Sequence, residues 1–500
     1  MTLRVETPGG YSPEREYILG VLLGDFLGLS WRREVSERQE VRITLDGQPG
    51  EIQLPDILFS VADADWLTEP SMPRRPLARW DTRDFAKDIT LVEPTVPVIY
   101  GSHPAPVGAQ PSGRSNAGYG HASDDGQRRH AGEEDFAVLE EGRVRLPIDV
   151  FGSAFFMLSR YEEIVTPDRD EHDRFPAWAS LAYREGFLER PIVDEYVEIL
   201  WTAIQRLWPR LQRKNHEPRT FVSCDVDNPY AAYTKTMAAT LRKMGGDLLK
   251  RRSVPEAART LRNTLATRRG DYRHDPFDTF DWMMEVNEAA GNRMAFYFIV
   301  DHSVPGMDGH YSIDEPRIRQ LMRCIHERGH EIGLHGSYGT YRDPAQIRHE
   351  VERLRAVMAE EAIDQEVLGC RQHYLRWDSR KTAQYLSDAG LHYDTTLSFA
   401  DHAGFRCGTC HVYALYDLLQ RSPLMVKERP LVLMECSVLS PVYGGHGYSD
   451  ETLRTMSRFK ETTQKLGGEF VLLWHNSYFQ NTNDMSFYKR LVSPESTTGC

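Results

Sequence analysis

The sequence predicts an α/β protein in which an N-terminal α/β domain precedes a larger domain built on a parallel sheet. Three observations predict it: the size of the chain, an alternation of strands and helices after residue 215, and polar residues at the strand ends. The 500 residues are 40% hydrophobic and 27% charged, enough to bury a sizeable core and to divide into two or three domains.

Residues 1–215 are expected to form the N-terminal α/β domain. They mix strand-like runs such as 41–45 with helical runs such as 193–207, and they carry no glycine signature of nucleotide binding. Within this domain, residues 101–134 are rich in Gly, Pro, Ser, Ala and His, which predicts a disordered surface insertion. The polar stretch 214–218 ends in proline and is the predicted domain boundary.

Residues 216–500 alternate short strand-like runs with helical segments that often end at a glycine. Strands are predicted at residues 220–223, 294–300, 330–334, 367–370, 392–393, 431–436 and 470–474. Strands and helices that alternate at this spacing form a parallel sheet. Seven such units fit either an open doubly wound sheet or a barrel.

Most of the unusual polar residues come directly after these strands: Asp225, Asp227, Asp301, His302, His335, Arg371, His373, Tyr374, Asp394, Ser437 and His475. In a parallel barrel the C-terminal strand ends open on one face, where barrel active sites lie. Carboxylates and neutral imidazoles suit a divalent metal such as zinc, and one carboxylate can remain as general base. The pattern therefore predicts a single metal-containing pocket.

The composition of the chain narrows the classes of binding partner that are expected. The formal net charge of -13 gives no electrostatic reason to bind nucleic acid or an anionic membrane, so a neutral or small substrate is expected. Seven scattered cysteines indicate reduced thiols and a cytoplasmic protein. The sequence shows neither a signal peptide nor an apolar run long enough for a transmembrane segment.

Five motifs resemble those of the polysaccharide deacetylases of carbohydrate esterase family 4. In the family's order they are FVSCDVDNP at 221–229, GHEIGLHGSYGTY at 329–341, GCRQHYLRW at 369–377, a looser counterpart at 394–401, and LLWHNS at 472–477. The resemblance implies a distorted (β/α)7 barrel of deacetylase type over residues 216–500. It also implies a metal-dependent hydrolase that removes an N-acetyl or similar acyl group from a carbohydrate.

The resemblance also assigns catalytic roles. Asp225 would be the general base and Asp227 a metal ligand, although the residue between them leaves these two roles open to exchange. Arg371 would orient the base, and His475 would act as general acid.

One metal ligand departs from the family. His335 matches the family's first histidine, but the histidine expected four residues later is Gly339 in this chain. His373 occupies the place of the family's proline beside the motif arginine and is our candidate for the third ligand, with Asp301 or His302 as the fallback.

Five further residues are candidates for substrate contact. The resemblance implies that the backbone amide of Tyr374 helps to hold the oxyanion and that Leu473 lines the acyl pocket. Asp394 belongs to the fourth motif, and Trp377 and Trp474 are suited either to stacking on a sugar ring or to the core.

The runs SAFFMLSRYEE and HDRFPAWASLAY in the N-terminal domain resemble a bacterial subgroup of these proteins associated with surface polysaccharide biosynthesis. The basic segment 235–273 would suit a nucleotide-linked or lipid-linked sugar, or it is a solvated helix face. Two other functions stay open: a degenerate barrel that binds a glycan or partner without hydrolysis, and hydrolysis of another C–N amide. The pair Cys407 and Cys410 indicates paired thiols in a loop more than a zinc or redox site.

Overall fold

The computed structural model describes residues 1–101, 138–140, 142–231, 254–443, 445, 447–479 and 482–494. The predicted insertion at 101–134 lies outside the described residues except for Gly101, and so do residues 235–253 of the basic segment. Across the described ranges, no helix is long and apolar enough to cross a membrane.

The described part of the N-terminal region contains two small sheets and a set of helices. Its strands are β1 (Leu3–Thr7), β2 (Trp31–Val35), β3 (Glu40–Leu45), β4 (Glu51–Pro55), β5 (Ala78–Asp81), β6 (Thr95–Val98), β7 (Val138–Glu140) and β8 (Arg143–Arg145). Its helices are α1 (Ser12–Leu19, continued by a π-helix over Gly20–Phe26), α2 (Val150–Leu158), α3 (Tyr161–Val165), α4 (Leu181–Arg184) and α5 (Ile192–Leu207). The larger sheet has the order β2-β1-β3-β4-β8-β7, and β5 pairs with β6.

The remainder of the chain forms a second, larger α/β unit. Its strands are β9 (Arg219–Val226), β10 (Met294–Phe298), β11 (Glu331–Gly336), β12 (Gly369–Gln372), β13 (Tyr393–Asp394), β14 (Tyr413–Asp417), β15 (Ser422–Glu428), β16 (Leu433–Met434) and β17 (Glu469–Leu473). Its helices are α6 (Val254–Arg268), α7 (Phe280–Ala289), α8 (Pro316–Glu327), α9 (Pro344–Glu360), α10 (Thr382–Asp388), α11 (Glu435–Leu439), α12 (Asp450–Lys465) and α13 (Thr482–Val492).

All seven predicted strands are present in one nine-stranded sheet of order β14-β15-β13-β12-β11-β10-β9-β17-β16. Every pairing in it is parallel except that of β14 with β15. The β14–β15 hairpin was not predicted. In the described ranges no ladder joins β14 to β16, so a closed (β/α)7 barrel is not shown and that expectation stays a prediction.

The sheet is strongly curled, as shown by side chains from distant strands that meet on its concave face. Phe221 of β9 and Tyr393 of β13 have ring centroids 6.2 Å apart, although three strands separate them. Met434 of β16 and Leu473 of β17 belong to the same buried cluster. A larger apolar core fills the space between the sheet's other face and the helices.

Two glycines make this curl possible. A Cβ on Gly333 of β11 would come within 2.3 Å of the Tyr297 ring, and one on Gly369 of β12 would come within 2.0 Å of the Tyr393 ring. Backbone without a side chain therefore accommodates two large rings inside the curl. Both glycines lie in the motifs that carry the resemblance.

A buried ion-pair cluster joins the two regions. Both oxygens of Glu163 in α3 accept hydrogen bonds of 2.9 Å from Arg406, which lies between β13 and β14. Arg160 donates to the same carboxylate, and all three side chains are at most 2% exposed. Burial alone would raise the pKa of Glu163, but the two guanidinium groups lower it to about 2.

Replacing Arg406 with Met should destabilise the protein by about 3–5 kcal/mol, because it leaves a buried carboxylate without one of its two cations. The shift is measurable as a lower urea midpoint at an unchanged m-value. Arg458→Met is the matched control, since Arg458 pairs with Glu189 on the surface, where both side chains are more than half exposed. Equal midpoint shifts for the two variants would contradict this view of the cluster.

Candidate active site

Three predicted metal ligands converge at the C-terminal end of the curled sheet. Asp227 follows β9, His335 lies in β11 and His373 follows β12. Each offers one ligand atom, and these atoms all lie within 4.8 Å of one another. Oδ1 of Asp227 is 3.1 Å from Nε2 of His335 and 3.6 Å from Nε2 of His373.

The donor set fits a zinc-like cation. Two ligand atoms bound to one tetrahedral zinc at about 2.0–2.1 Å lie about 3.3 Å apart, close to the separations seen in this cluster. Oδ1 of Asp227 is buried and accepts no hydrogen bond of normal geometry from the described residues. A buried carboxylate oxygen that faces two imidazole nitrogens without such a bond is suited to sharing a cation with them.

The pKa shift of Asp227 agrees with the binding of a cation. Burial would raise the pKa of Asp227, but His373, His335 and His475 together hold it well below the usual range. Burial would lower the pKa of His335, but Asp225 and Asp227 raise it. The carboxylate is therefore ionised in any neutral solution, as a metal ligand must be.

The second ring nitrogen of each histidine has a firm partner. Nδ1 of His335 lies 2.9 Å from the carbonyl oxygen of Arg371, and Nδ1 of His373 lies 2.9 Å from Oδ1 of Asp308. Such partners fix the ring orientation and leave Nε2 as the acceptor for a metal. Asp308 is in turn fixed by the backbone amide of Tyr338 at 2.8 Å.

Gly339, in the place of the family's second histidine, packs tightly against Ser303. A Cβ at this position would lie 3.1 Å from Oγ of Ser303, which accepts the amide hydrogen of Gly339 at 2.7 Å. The fallback ligands are also placed elsewhere: Asp301 is half-exposed and bonded to Gln346, and His302 is exposed. Of the candidates for the third ligand, His373 is the one that reaches Asp227.

Asp225 is fixed by a buried arginine. Oδ1 of Asp225 accepts a 2.7 Å hydrogen bond from Arg371, which also donates to Ser223 and Thr395. Its other oxygen, Oδ2, lies 3.7 Å from Nε2 of His335, on the side of the cluster. The geometry separates the two aspartates: Asp225 is bonded to the arginine, whereas Asp227 faces the imidazoles.

His475 lies near the other carboxylate oxygen of Asp227. Its Nε2 is 3.7 Å from Oδ2 of Asp227, and its Nδ1 is 2.5 Å from Oε1 of Glu435, the first residue of α11. Burial would lower the pKa of His475, but Glu435 and then Asp227 raise it to about 10. His475 is accordingly a proton donor at neutral pH.

These residues open into a cavity of about 310 Å³. The cavity is lined by Arg174, Asp225, Asp227, Asn228, Gly306, Met307, Asp308, Gly309, His310, His335, His373, Tyr374, Leu375, Ala400, Met434, Cys436, Tyr443, Leu473 and His475. Of the predicted substrate-contacting residues, Tyr374 and Leu473 are brought to it. The loop before His310 packs tightly against the backbone of Asp227. A Cβ on Gly309 would come within 2.2 Å of the carbonyl oxygen of Asp227.

Three predicted substrate-contacting residues lie outside this lining. Trp474 is fully buried in the helix layer, stacked on Phe479 with ring centroids 5.7 Å apart. Trp377 is also part of the apolar core. Asp394 is buried below the site, where it accepts hydrogen bonds from the amide and hydroxyl of Thr396.

The N-terminal region contributes one wall of the cavity. Arg174, held by Asp170 at 2.7 Å, donates a 3.0 Å hydrogen bond to the carbonyl oxygen of Tyr374. Tyr374 has a φ of 62° and Leu375 a φ of 56°, a strained conformation for residues with a side chain. The loop from the first region thus holds a strained turn at the edge of the site.

Sequence reasoning missed Asp308, Glu435 and Arg174. Asp308 lies in a glycine-rich loop and Glu435 directly after a short strand, where a carboxylate is also a common turn or helix-start residue. Arg174 lies inside the HDRF run, which drew attention only as part of a resemblance. The position of Arg174 in a charged run after the helices does not indicate that its side chain lines the active-site cavity.

One family model matches the N-terminal region. Residues 3–209 match the family model described as Family of unknown function (DUF7033), which is less than half of the chain. Curated proteins give no match. The predicted domain boundary near residue 215 stays a prediction.

Two solved structures resemble the chain weakly. A protein described as a candidate polysaccharide deacetylase from Mycobacterium smegmatis has 16% identity and a TM-score of 0.35, over 56% of this chain and 84% of that one. PuuE allantoinase has 12% identity and a TM-score of 0.32, over 57% of this chain and 85% of that one. At these values neither likeness bears on the function of the chain.

Replacing Asp308 with Asn should weaken zinc binding about 10–100-fold, because the ring of His373 loses the carboxylate that orients it. Competition titration against a chromogenic chelator measures this change. Asp301→Asn is the control, since Asp301 lies on the same loop but is bonded to Gln346 outside the cavity. Unchanged zinc affinity in Asp308→Asn would show that His373 is not a ligand.

Proposed function

We propose that the chain is a metal-dependent hydrolase that removes an N-acetyl or similar acyl group from a carbohydrate. The observation that carries the proposal is the convergence of three different groups on one cavity. They are the donor set of Asp227, His335 and His373, a carboxylate fixed by an arginine, and a histidine charged by a buried glutamate. A binding protein needs no such combination.

Asp227, His335 and His373 would hold the metal, and their nitrogen and oxygen atoms favour zinc. When bound there, a zinc ion supplies Lewis acidity, which polarises an amide carbonyl and acidifies water.

Asp225 is the proposed general base. Arg371 occupies Oδ1, so Oδ2 is the oxygen left to take a proton from the attacking water. Arg371 holds the carboxylate in place, because its guanidinium is itself anchored by three further hydrogen bonds, to Ser223 and Thr395.

His475 is the proposed general acid. An amine leaves an amide only when its nitrogen gains a proton, and a histidinium whose Nε2 lies 3.7 Å from Oδ2 of Asp227 can deliver it. Glu435 on Nδ1 keeps the imidazole protonated before the transfer and orients the ring during it.

The strained turn at Tyr374 supports the developing oxyanion in this proposal. A backbone amide aimed at that charge typically contributes about 3–4 kcal/mol to transition-state stabilisation. Arg174 binds the carbonyl of the same residue, so it acts as a positioning residue that prevents the turn from relaxing.

The carbohydrate part of the proposal rests on the motif resemblance and on the composition of the cavity wall. Tyr374 and Tyr443 offer ring faces for a sugar, Asn228 offers an amide, and Leu473 and Met434 form an apolar patch suited to an acetyl methyl group. A sugar carried on a nucleotide or a lipid, in surface polysaccharide biosynthesis in the cytoplasm, is the proposed context.

Asp225→Asn should lower kcat for acetate release at least about 100-fold while zinc content stays unchanged, because the amide cannot take the water proton. The assay measures acetate from N-acetylated sugar nucleotides and oligosaccharides, together with metal content. His392→Ala, an exposed histidine far from the cavity, is the control for nonspecific effects.

Two results would overturn the proposal. Zinc-loaded wild type that releases no acetate from any sugar, but hydrolyses a ureide or cyclic imide, would assign a different C–N amide. Wild type that binds no metal and hydrolyses nothing would instead indicate a protein that only binds its glycan or partner.

Glu435→Gln should shift the alkaline limb of the pH profile of kcat/KM to lower pH by about 1–3 units, because the pKa of His475 falls when its carboxylate partner loses its charge. Activity falls as pH rises through the pKa of a general acid, so the variant loses activity at a pH where wild type is still active. An unshifted alkaline limb would remove His475 from the role of acid.

A further inference from the structure

A second cluster of metal-ligating side chains lies away from the active site. Asp194, Cys410 and His411 bring a carboxylate oxygen, a sulfur and a ring nitrogen within 4.8 Å of one another. Asp194 lies in α5 of the N-terminal region, whereas Cys410 and His411 directly precede β14. Asp194 and Cys410 are buried and His411 is half-buried. The proposed hydrolysis uses none of the three.

The thiol and the carboxylate are already close to a shared ligand geometry. Sγ of Cys410 lies 3.1 Å from Oδ2 of Asp194. A thiolate and a carboxylate oxygen bound to one tetrahedral zinc, at about 2.3 Å and 2.0 Å, lie about 3.5 Å apart. A zinc ion could therefore replace the thiol proton with a movement of a few tenths of an ångström.

The carboxylate is held in place by groups that a metal would not displace. Oδ1 of Asp194 accepts the hydroxyl of Thr409 at 2.6 Å, and Oδ2 accepts the amide of Cys410 at 2.8 Å. These bonds orient the carboxylate from behind, as outer partners of metal ligands do. On the other side, the sulfur is packed against Gly468, where a Cβ would come within 2.2 Å of it.

A cavity of about 220 Å³ gives access to the cluster, and both Asp194 and His411 line it. His216 lines the same cavity, with its ring centroid 4.7 Å from that of His411. Nε2 of His216 lies 2.7 Å from the carbonyl oxygen of Phe26, so Nε2 carries the proton and Nδ1 is left as an acceptor.

We propose that Asp194, Cys410 and His411 bind a zinc ion, with His216 or a water from the cavity as the fourth ligand. A thiolate, an imidazole and a carboxylate select zinc over magnesium or calcium, which prefer oxygen ligands alone. The ion joins α5, the junction at His216 and the segment before β14, so its role is to fasten the N-terminal region to the curled sheet. The proposal does not depend on the hydrolytic function.

Cobalt substitution of the full-length protein tests the site with a signal that the active-site donors cannot give. A cobalt–thiolate bond produces a charge-transfer absorption in the near ultraviolet, whereas Asp227, His335 and His373 contain no sulfur. We expect this band in wild type and its loss in Cys410→Ser and in His411→Ala. Cys407→Ser is the matched control, because Cys407 is the other buried thiol of the same CxxC and lies outside the cluster.

Cys436→Ser is a second control, since Cys436 lines the active-site cavity. The band should survive in both controls. A band that is absent from wild type, or that disappears in Cys436→Ser and persists in Cys410→Ser, would overturn the proposal.

Metal counting gives an independent result in case a variant folds poorly. His335→Ala should retain one equivalent of zinc after dialysis, and chelation should lower its melting temperature. Asp194→Asn in the same background keeps the shape of the side chain but removes its charge, and this double variant should hold no zinc and show no effect of the chelator. Zinc-free His335→Ala with a melting temperature insensitive to chelation would contradict the proposal.

Discussion

The structure of the active-site end of the sheet depends on the hydrogen bonds that the guanidinium group of Arg371 donates. The group is fully buried, and its hydrogen bonds reach Ser223 and Asp225 on β9 and Thr395 just after β13, with the ring of Tyr297 beneath it. A buried cation that loses one of these acceptors costs several kcal/mol, so the strands cannot slide past one another without penalty. The backbone carbonyl of the same residue orients His335. Arg371 thus fixes a carboxylate through its side chain and a proposed metal ligand through its backbone.

The strands that bear the site could be predicted because their signals are local. Each is a short apolar run that ends at polar residues, and four of the seven follow a helix that ends at glycine. The β14–β15 hairpin lacked such a signal: Pro423 lies in β15 at a position that pairs with β14 but is beyond the two residues that pair with β13, so that part of the strand has one unpaired edge. Proline in a strand-like run argues against a strand unless the strand is at an edge, and sequence alone does not reveal the edge.

The direction of individual side chains was the harder problem. Leu473 and Trp474 are adjacent at the end of β17, and successive residues there point to opposite faces, so Leu473 enters the cavity while Trp474 enters the helix layer. Motif spacing placed both near the site, but only the register of the curled sheet decides which one faces it. Asp308 and Glu435 were missed for a related reason, since each acts through a histidine that is distant in sequence.

The three residues of the Glu163 cluster are synthesised at different times. Glu163 and Arg160 are close in sequence and leave the ribosome together, whereas Arg406 follows more than two hundred residues later. Regions near the N terminus generally begin to fold first, so the N-terminal region begins to fold while Glu163 has only one of its two cationic partners. The cluster can be completed only when Arg406, about four-fifths along the chain, has emerged. This contact between the two regions is therefore formed after the contact of Arg174 with Tyr374 becomes possible.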